Sequence, residues 1–134
     1  MRVGVVLNPV AGYGGTRAMH GTDDLPPEQF DAAVSAGRAR HRLVRMLRRA
    51  DAELETAVLL TADGLLGSDA LAEAGVAFDV VWAAATPYRT TPADTQAAVR
   101  ALLAAGADCL VFAGGDGTAT DIAEVVGESV PVIG

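Results

Sequence analysis

The chain has 134 residues, 51% of them hydrophobic and 20% charged. That is the length of about one domain with its own core, and it excludes disorder for most of the chain. Ten cations against seventeen anions leave a net charge of −7, which repels nucleic acid and anionic lipid at long range, so neither nucleic acid nor membrane is expected as a partner. Every cation is an arginine, so no lysine can serve a Walker-type phosphate loop or a Schiff base. Cys109 stands alone, and His20 and His41 lack ligand spacing, which excludes an internal disulfide and a cysteine zinc site. The run from Met1 to Leu7 is too short for a signal peptide, and no stretch approaches the ~18 apolar residues of a membrane span. A cytoplasmic protein is expected.

In chain order, Arg2 to Leu7 is a β-branched, nearly continuous apolar run ending at Asn8-Pro9, the pattern of a strand buried on both faces. Residues 10–24 are glycine-rich and aperiodic and read as a long loop. Pro26-Pro27 opens a helix to about Ala36, stopped by Gly37. A second helix covers Arg38 to Ala50, with Ala39, Leu43, Met46 and Ala50 on its apolar stripe and Arg38, Arg42, Arg45 and Arg49 on another. Glu55 to Leu60 reads as a strand. Ser68 reads as the cap of a helix from Asp69 to Ala74, which Gly75 ends. Val76 to Trp82 is the third strand. Thr91-Pro92-Ala93-Asp94 supplies a capping hydroxyl, a first-turn proline and a carboxylate, opening a helix to Ala105. Asp108 to Ala113 is the fourth strand, Ala119 to Val126 a helix, and Val130 to Ile133 the fifth strand.

Strands alternating with helices across short loops predict a doubly wound α/β fold: a mostly parallel five-stranded, Rossmann-like sheet with helices on both faces. Ligands of such sheets bind beyond the carboxyl ends of the strands. Asn8 to Gly15, Thr61 to Gly64, Ala83 to Thr91 and Gly114 to Thr118 fall at that edge.

Gly114-Gly115-Asp116-Gly117-Thr118 is the densest constellation. Its three glycines let a backbone approach a phosphate closely at a helix start that favours anions. Asp116, at that helix end, is placed to accept a proton or to hold Mg2+. Thr118 and Asp121 have the spacing of a cap and its first-turn partner. Asn8-Pro9-Val10-Ala11-Gly12-Tyr13-Gly14-Gly15 follows the first strand. It fails the Gly-x-Gly-x-x-Gly dinucleotide fingerprint, because Arg17 stands at the third glycine position.

Together and in this order, the two stretches resemble the superfamily that joins NAD kinases with diacylglycerol and sphingosine kinases. The likeness is greatest to the ATP-NAD kinase-like (polyphosphate/ATP-NAD kinase) family, which is similar in Asn8 to Gly15, Gly21-Thr22-Asp23, Thr91 to Thr95 and Gly114 to Ala119. The resemblance implies phosphoryl transfer from ATP, or from polyphosphate, to the 2′-hydroxyl of NAD, giving NADP. It further implies Asp116 as the acceptor of the hydroxyl proton, and Mg2+ with the ATP. Asn8, Gly12, Gly14, Gly15, Gly114, Gly115, Gly117 and Thr118 would form the phosphate and nucleotide site. No metal ligand is assigned. The sequence departs from that family at His20, Asp24 and Thr120, where a lysine, a glycine and an arginine are expected. Members continue into a second, largely β domain, so residues 1–134 are expected to be the N-terminal nucleotide-binding domain of a longer two-domain kinase and to make little NADP alone. A homo-oligomer is left open.

A lipid kinase of the diacylglycerol type shares the two glycine motifs, but the acidic balance opposes the membrane face it would need. A non-catalytic nucleotide-binding module is the third alternative. Six of the ten arginines lie between Arg38 and Arg49. They read as a solvated helix face, against a docking surface for polyphosphate. Arg89 is the better-placed phosphate contact, and Trp82 and Tyr88 are expected to be packing residues.

Overall fold

The computed structural model describes residues 1–13 and 25–134. The chain runs β1 (Arg2–Leu7), α1 (Pro27–Ala36), α2 (Arg38–Arg49), α3 (Asp51–Leu54), β2 (Val58–Ala62), a 3-10 turn (Gly64–Leu66), α4 (Ser68–Ala74), β3 (Asp79–Trp82), α5 (Pro92–Ala104), β4 (Cys109–Ala113), α6 (Asp116–Val126) and β5 (Val132–Ile133). All strand pairs are parallel, in the order β3-β2-β1-β4-β5. The expected doubly wound α/β sheet is therefore present.

Alternation along β1 divides the core in two, because successive side chains of a strand point to opposite faces. Val3, Val5 and Leu7 join Leu43, Val44 and Leu47 of α2 and Leu71 of α4 on one face. Val6 joins Val99 and Leu102 of α5, Leu110, and Ile122 and Val126 of α6 on the other. Gly4 shares the second face, and it is what lets α5 come close. A Cβ there would run into the Leu110 side chain, with Leu102 Cδ1 at 3.3 Å and Ala107 Cβ at 3.4 Å. Gly4→Val is expected to cost about 1–3 kcal/mol or more through overpacking, read as a lower urea midpoint.

Local signals set several element ends as expected. Gly37, at φ 55°, donates its N–H to Ala33 O and separates α1 from α2. At α5, Asp94 N donates to Thr91 Oγ1 (3.3 Å) and Thr91 N to Asp94 Oδ2 (2.8 Å), a reciprocal capping box behind Pro92.

Other expectations need correction. The second strand is Val58–Ala62 rather than Glu55 to Leu60. Arg2 pairs with Val58, and buried Thr61 stays in the strand because its hydroxyl donates to Val5 O at 2.8 Å. The third strand pairs only from Asp79, since Val76 N is spent on Leu71 O at the end of α4. The fifth pairs only at Val132–Ile133; the proline before them has no N–H to give a ladder. Ser68 does not cap α4. It is the first helical residue, and its Oγ instead accepts from Gly64 N and donates to Asp63 Oδ1, closing the 3-10 turn. On α2 the buried stripe is Ala39, Leu43, Val44 and Leu47, while Met46 is 42% exposed. Trp82 packs against the cluster of Ala62, Leu66 and Ala98. Tyr88 does not pack; it is 85% exposed, in the loop before α5.

Candidate functional site

In a sheet of this order the connections leave β1 and β4 toward opposite faces, so a crevice opens between their carboxyl ends. The described part of the first glycine stretch, Asn8 to Tyr13, and the whole of the second lie there. Asn8 follows β1 and its N–H donates to Ala113 O, the last residue of β4, at 2.9 Å. The Asn8 side chain closes the contact: Nδ2 donates to Thr118 Oγ1 at 2.9 Å, and Oδ1 accepts from Val10 N at 3.1 Å. One amide thus ties the first loop to itself and to the first turn of α6, 110 residues away. Asn8→Ala is expected to loosen both loops together, lowering thermal stability and raising amide exchange in the first turn of α6.

Helix α6 begins at Asp116, three residues before the expected Ala119. Thr118 is its third residue, not its cap; Gly115 holds the cap position, and no side chain caps it. Thr118 cannot cap because it is buried with its hydroxyl taken by Asn8. The first amides of α6 are therefore served by neither Thr118 nor a capping box like that of α5, and an open helix start of this kind attracts anions. Asp116 is exposed there, and among the described residues its carboxylate has no hydrogen-bond or ion-pair partner.

The three glycines are not equivalent. A Cβ on Gly114 would lie 2.5 Å from Thr118 Cβ and Oγ1, so this glycine is required by the loop's own packing. A Cβ on Gly115 or Gly117 would meet nothing within 4 Å. The fold does not demand glycine at those two positions, and they leave the approach to the helix start bare. Gly12 faces them across the crevice at φ 84°, a conformation glycine adopts without strain.

Between α2 and the end of β4 lies a cavity of about 420 Å³, lined among others by Gly12, Arg38, Arg42, Met46, Gly114 and Gly115. Its size is that of a small-molecule site. Arg38 and Arg42 belong to the helix face expected to be only solvated, and the structure brings them to the glycines. A signal for this was present: α2 starts directly after Gly37, and a crossover helix returning from the carboxyl edge presents its first turn to that edge. A smaller pocket of about 120 Å³ lies on the α5 and α6 side, lined by Asn8, Phe30, Arg89, Thr91, Thr95 and Asp121 among others. Arg89 is engaged there. Its Nη2 donates to Leu25 O at 3.1 Å and its guanidinium sits 5.9 Å from the Phe30 ring centre, pinning the loop before α5 to the start of α1.

The structure thus brings together Asn8, Gly12, Gly114, Gly115, Asp116, Gly117 and Thr118. Gly14, Gly15, His20, Gly21, Thr22, Asp23 and Asp24 lie outside the described residues. Thr120, where an arginine was expected, is exposed on α6 and donates its hydroxyl to Asp116 O at 3.0 Å. Among the described residues, no group of three or more His, Cys, Asp or Glu side chains could hold a metal ion, and no helix is long and apolar enough to cross a membrane.

No curated protein and no solved structure matches the chain significantly. A family model does: that of the ATP-NAD kinase N-terminal domain, over residues 3–134. With the match spanning both glycine stretches and the sheet that joins them, the chain belongs to the ATP-NAD kinase family.

Proposed function

We propose that the crevice between β1 and β4 binds the phosphates of ATP, or of polyphosphate as an alternative donor, and that the terminal phosphate passes to the 2′-hydroxyl of NAD, giving NADP. The observation that carries this reading is the Asn8 to Thr118 hydrogen bond, which fixes the two glycine loops and Asp116 around one open helix start. In the step, the 2′-oxygen forms a bond to the terminal phosphorus while the bond to the leaving phosphate oxygen breaks. Asp116 takes the hydroxyl proton, and ADP or the shortened polyphosphate departs with the electron pair. Such transfer depends on positioning and on neutralising charge, which backbone amides and arginine supply without a lysine. Gly115 and Gly117 would admit the phosphates, Gly12 would close over them, and Arg38 and Arg42 would offset their charge from the α2 side.

Mg2+ is usually held by one or two carboxylates together with substrate phosphates. A single exposed carboxylate at the rim, Asp116, fits that mode. When bound, the ion would neutralise phosphate charge. In this reading the chain is the N-terminal domain of a longer two-domain kinase acting in the cytoplasm, and the family description supports the first part.

Because residues 1–134 are expected to make little NADP alone, the test supplies the longer two-domain form with ATP and Mg2+ and either NAD or diacylglycerol in micelles, and measures both products. NADP is expected. Phosphorylated lipid with NAD untouched would make it a lipid kinase, and ATP binding with neither product would make it a non-catalytic module.

A further inference from the structure

Helix α2 carries six arginines and no acidic residue. They divide by position. Arg40 and Arg48 turn toward α4, where Arg40 Nε pairs with Glu73 Oε2 at 2.8 Å and Arg48 Nη2 donates to Glu73 O at 2.7 Å. Arg38, Arg42, Arg45 and Arg49 are all exposed, and among the described residues none of them has a hydrogen bond or an ion pair. Their spacing of four, three and four residues keeps them within a narrow angular sector at 100° per residue, so they form one straight row about 16 Å long.

A row of like charges repels itself, and in a chain with seven excess negative charges a row without a partner among the described residues is the exception. Its upper end is not on open surface. Arg38 and Arg42 line the cavity that also exposes Gly12, Gly114 and Gly115. Arg42 then continues with Arg45, Met46 and Arg49 along a shallow groove down the helix. A ligand that uses the whole arrangement must be anionic along its length, with one end small enough to enter the glycine corner.

We propose that Arg42, Arg45 and Arg49 bind the distal part of a linear oligophosphate whose terminal phosphate lies in the glycine corner. This rests on reading that corner as a phosphate site. A nucleoside triphosphate reaches Arg38 and Arg42 only, whereas a longer phosphate chain reaches Arg45 and Arg49. The two lower arginines therefore set a preference for chain length. Guanidinium forks suit this contact, since each can engage two phosphate oxygens at once.

The experiment measures binding of long-chain inorganic polyphosphate, tripolyphosphate and ATP to the protein as a function of salt. The variants are Arg45→Gln, Arg49→Gln, the double variant, and Arg100→Gln as a charge-matched control on α5. Wild type is expected to bind the long chain more tightly than tripolyphosphate. Each row substitution should reduce its salt slope by about one, and the double variant should weaken it about tenfold or more. ATP and tripolyphosphate affinities should stay unchanged, and Arg100→Gln should behave as wild type.

Equal affinity for long and short chains, row variants that bind the long chain as wild type does, or equally tight binding of polyglutamate would each overturn the proposal. The two readings fail separately. Row-dependent polyphosphate binding without ATP or tripolyphosphate binding supports the row and removes the glycine corner. ATP binding with a row-independent long chain removes the row and leaves the corner.

Discussion

In the longer two-domain form, Asp116→Asn is expected to lower NADP formation by about 100- to 10,000-fold, the usual worth of general-base help, with the melting temperature moved by no more than a few degrees. The stability half of that expectation comes from the structure. The carboxylate is exposed and makes no hydrogen bond or ion pair among the described residues, so an amide of equal size breaks no contact. What remains is a weak favourable interaction with the start of α6, which solvent screens. A residue bracing the turn would behave in the opposite way, losing melting temperature first and keeping its rate per folded molecule. Measuring both quantities on one preparation separates the two roles, and an early-melting variant with an undiminished rate removes Asp116 from the chemistry.

The second large effect is a contrast among neighbours. Gly114→Ala forces a methyl group to within 2.5 Å of Thr118 and should cost about 1–3 kcal/mol or more, taking the Asn8 bond with it. Gly115→Ala and Gly117→Ala place their methyl groups in open space. Gly117 lies inside α6, where alanine is favoured over glycine by about 1 kcal/mol, so this variant should melt at or above the wild-type temperature. Both should nevertheless bind ATP about tenfold or more weakly, because each methyl stands where phosphate oxygens would approach the amides. Stability and affinity thus move independently at Gly115 and Gly117, and together at Gly114. Equilibrium titration with ATP alongside thermal melts gives both; unchanged affinity at Gly115 and Gly117 would count against the cradle.

How much of this was legible in the sequence depended on how local each cause was. The Thr91-Pro92-Ala93-Asp94 start was readable because all its bonds close within four residues. The same pattern at Thr118 and Asp121 misled, because the partner of the Thr118 hydroxyl, Asn8, is remote in sequence. Thr61 looked like the start of a loop, yet it sits in β2 with its hydroxyl on a neighbouring strand, a bond that exists only once the sheet has formed. Strand alternation gave the parallel sheet and its two covered faces, but not the neighbours of each strand. That β1 and β4 adjoin, and hence that the two glycine loops share one crevice, follows from tertiary pairing. The arginine row was visible as a stripe. Its connection to the cavity depends on where α2 lies against β1 and β4.

Phosphate is expected to bind where β1 and β4 end, against the first turn of α6. Backbone amide shifts recorded during titration with a non-hydrolysable ATP analogue and Mg2+ test it most directly. The largest changes are expected on Gly12, Gly114, Gly115, Asp116 and Gly117, with the β3 edge of the sheet unmoved. Changes centred instead on Arg89 and the start of α5, with those five amides silent, would contradict it.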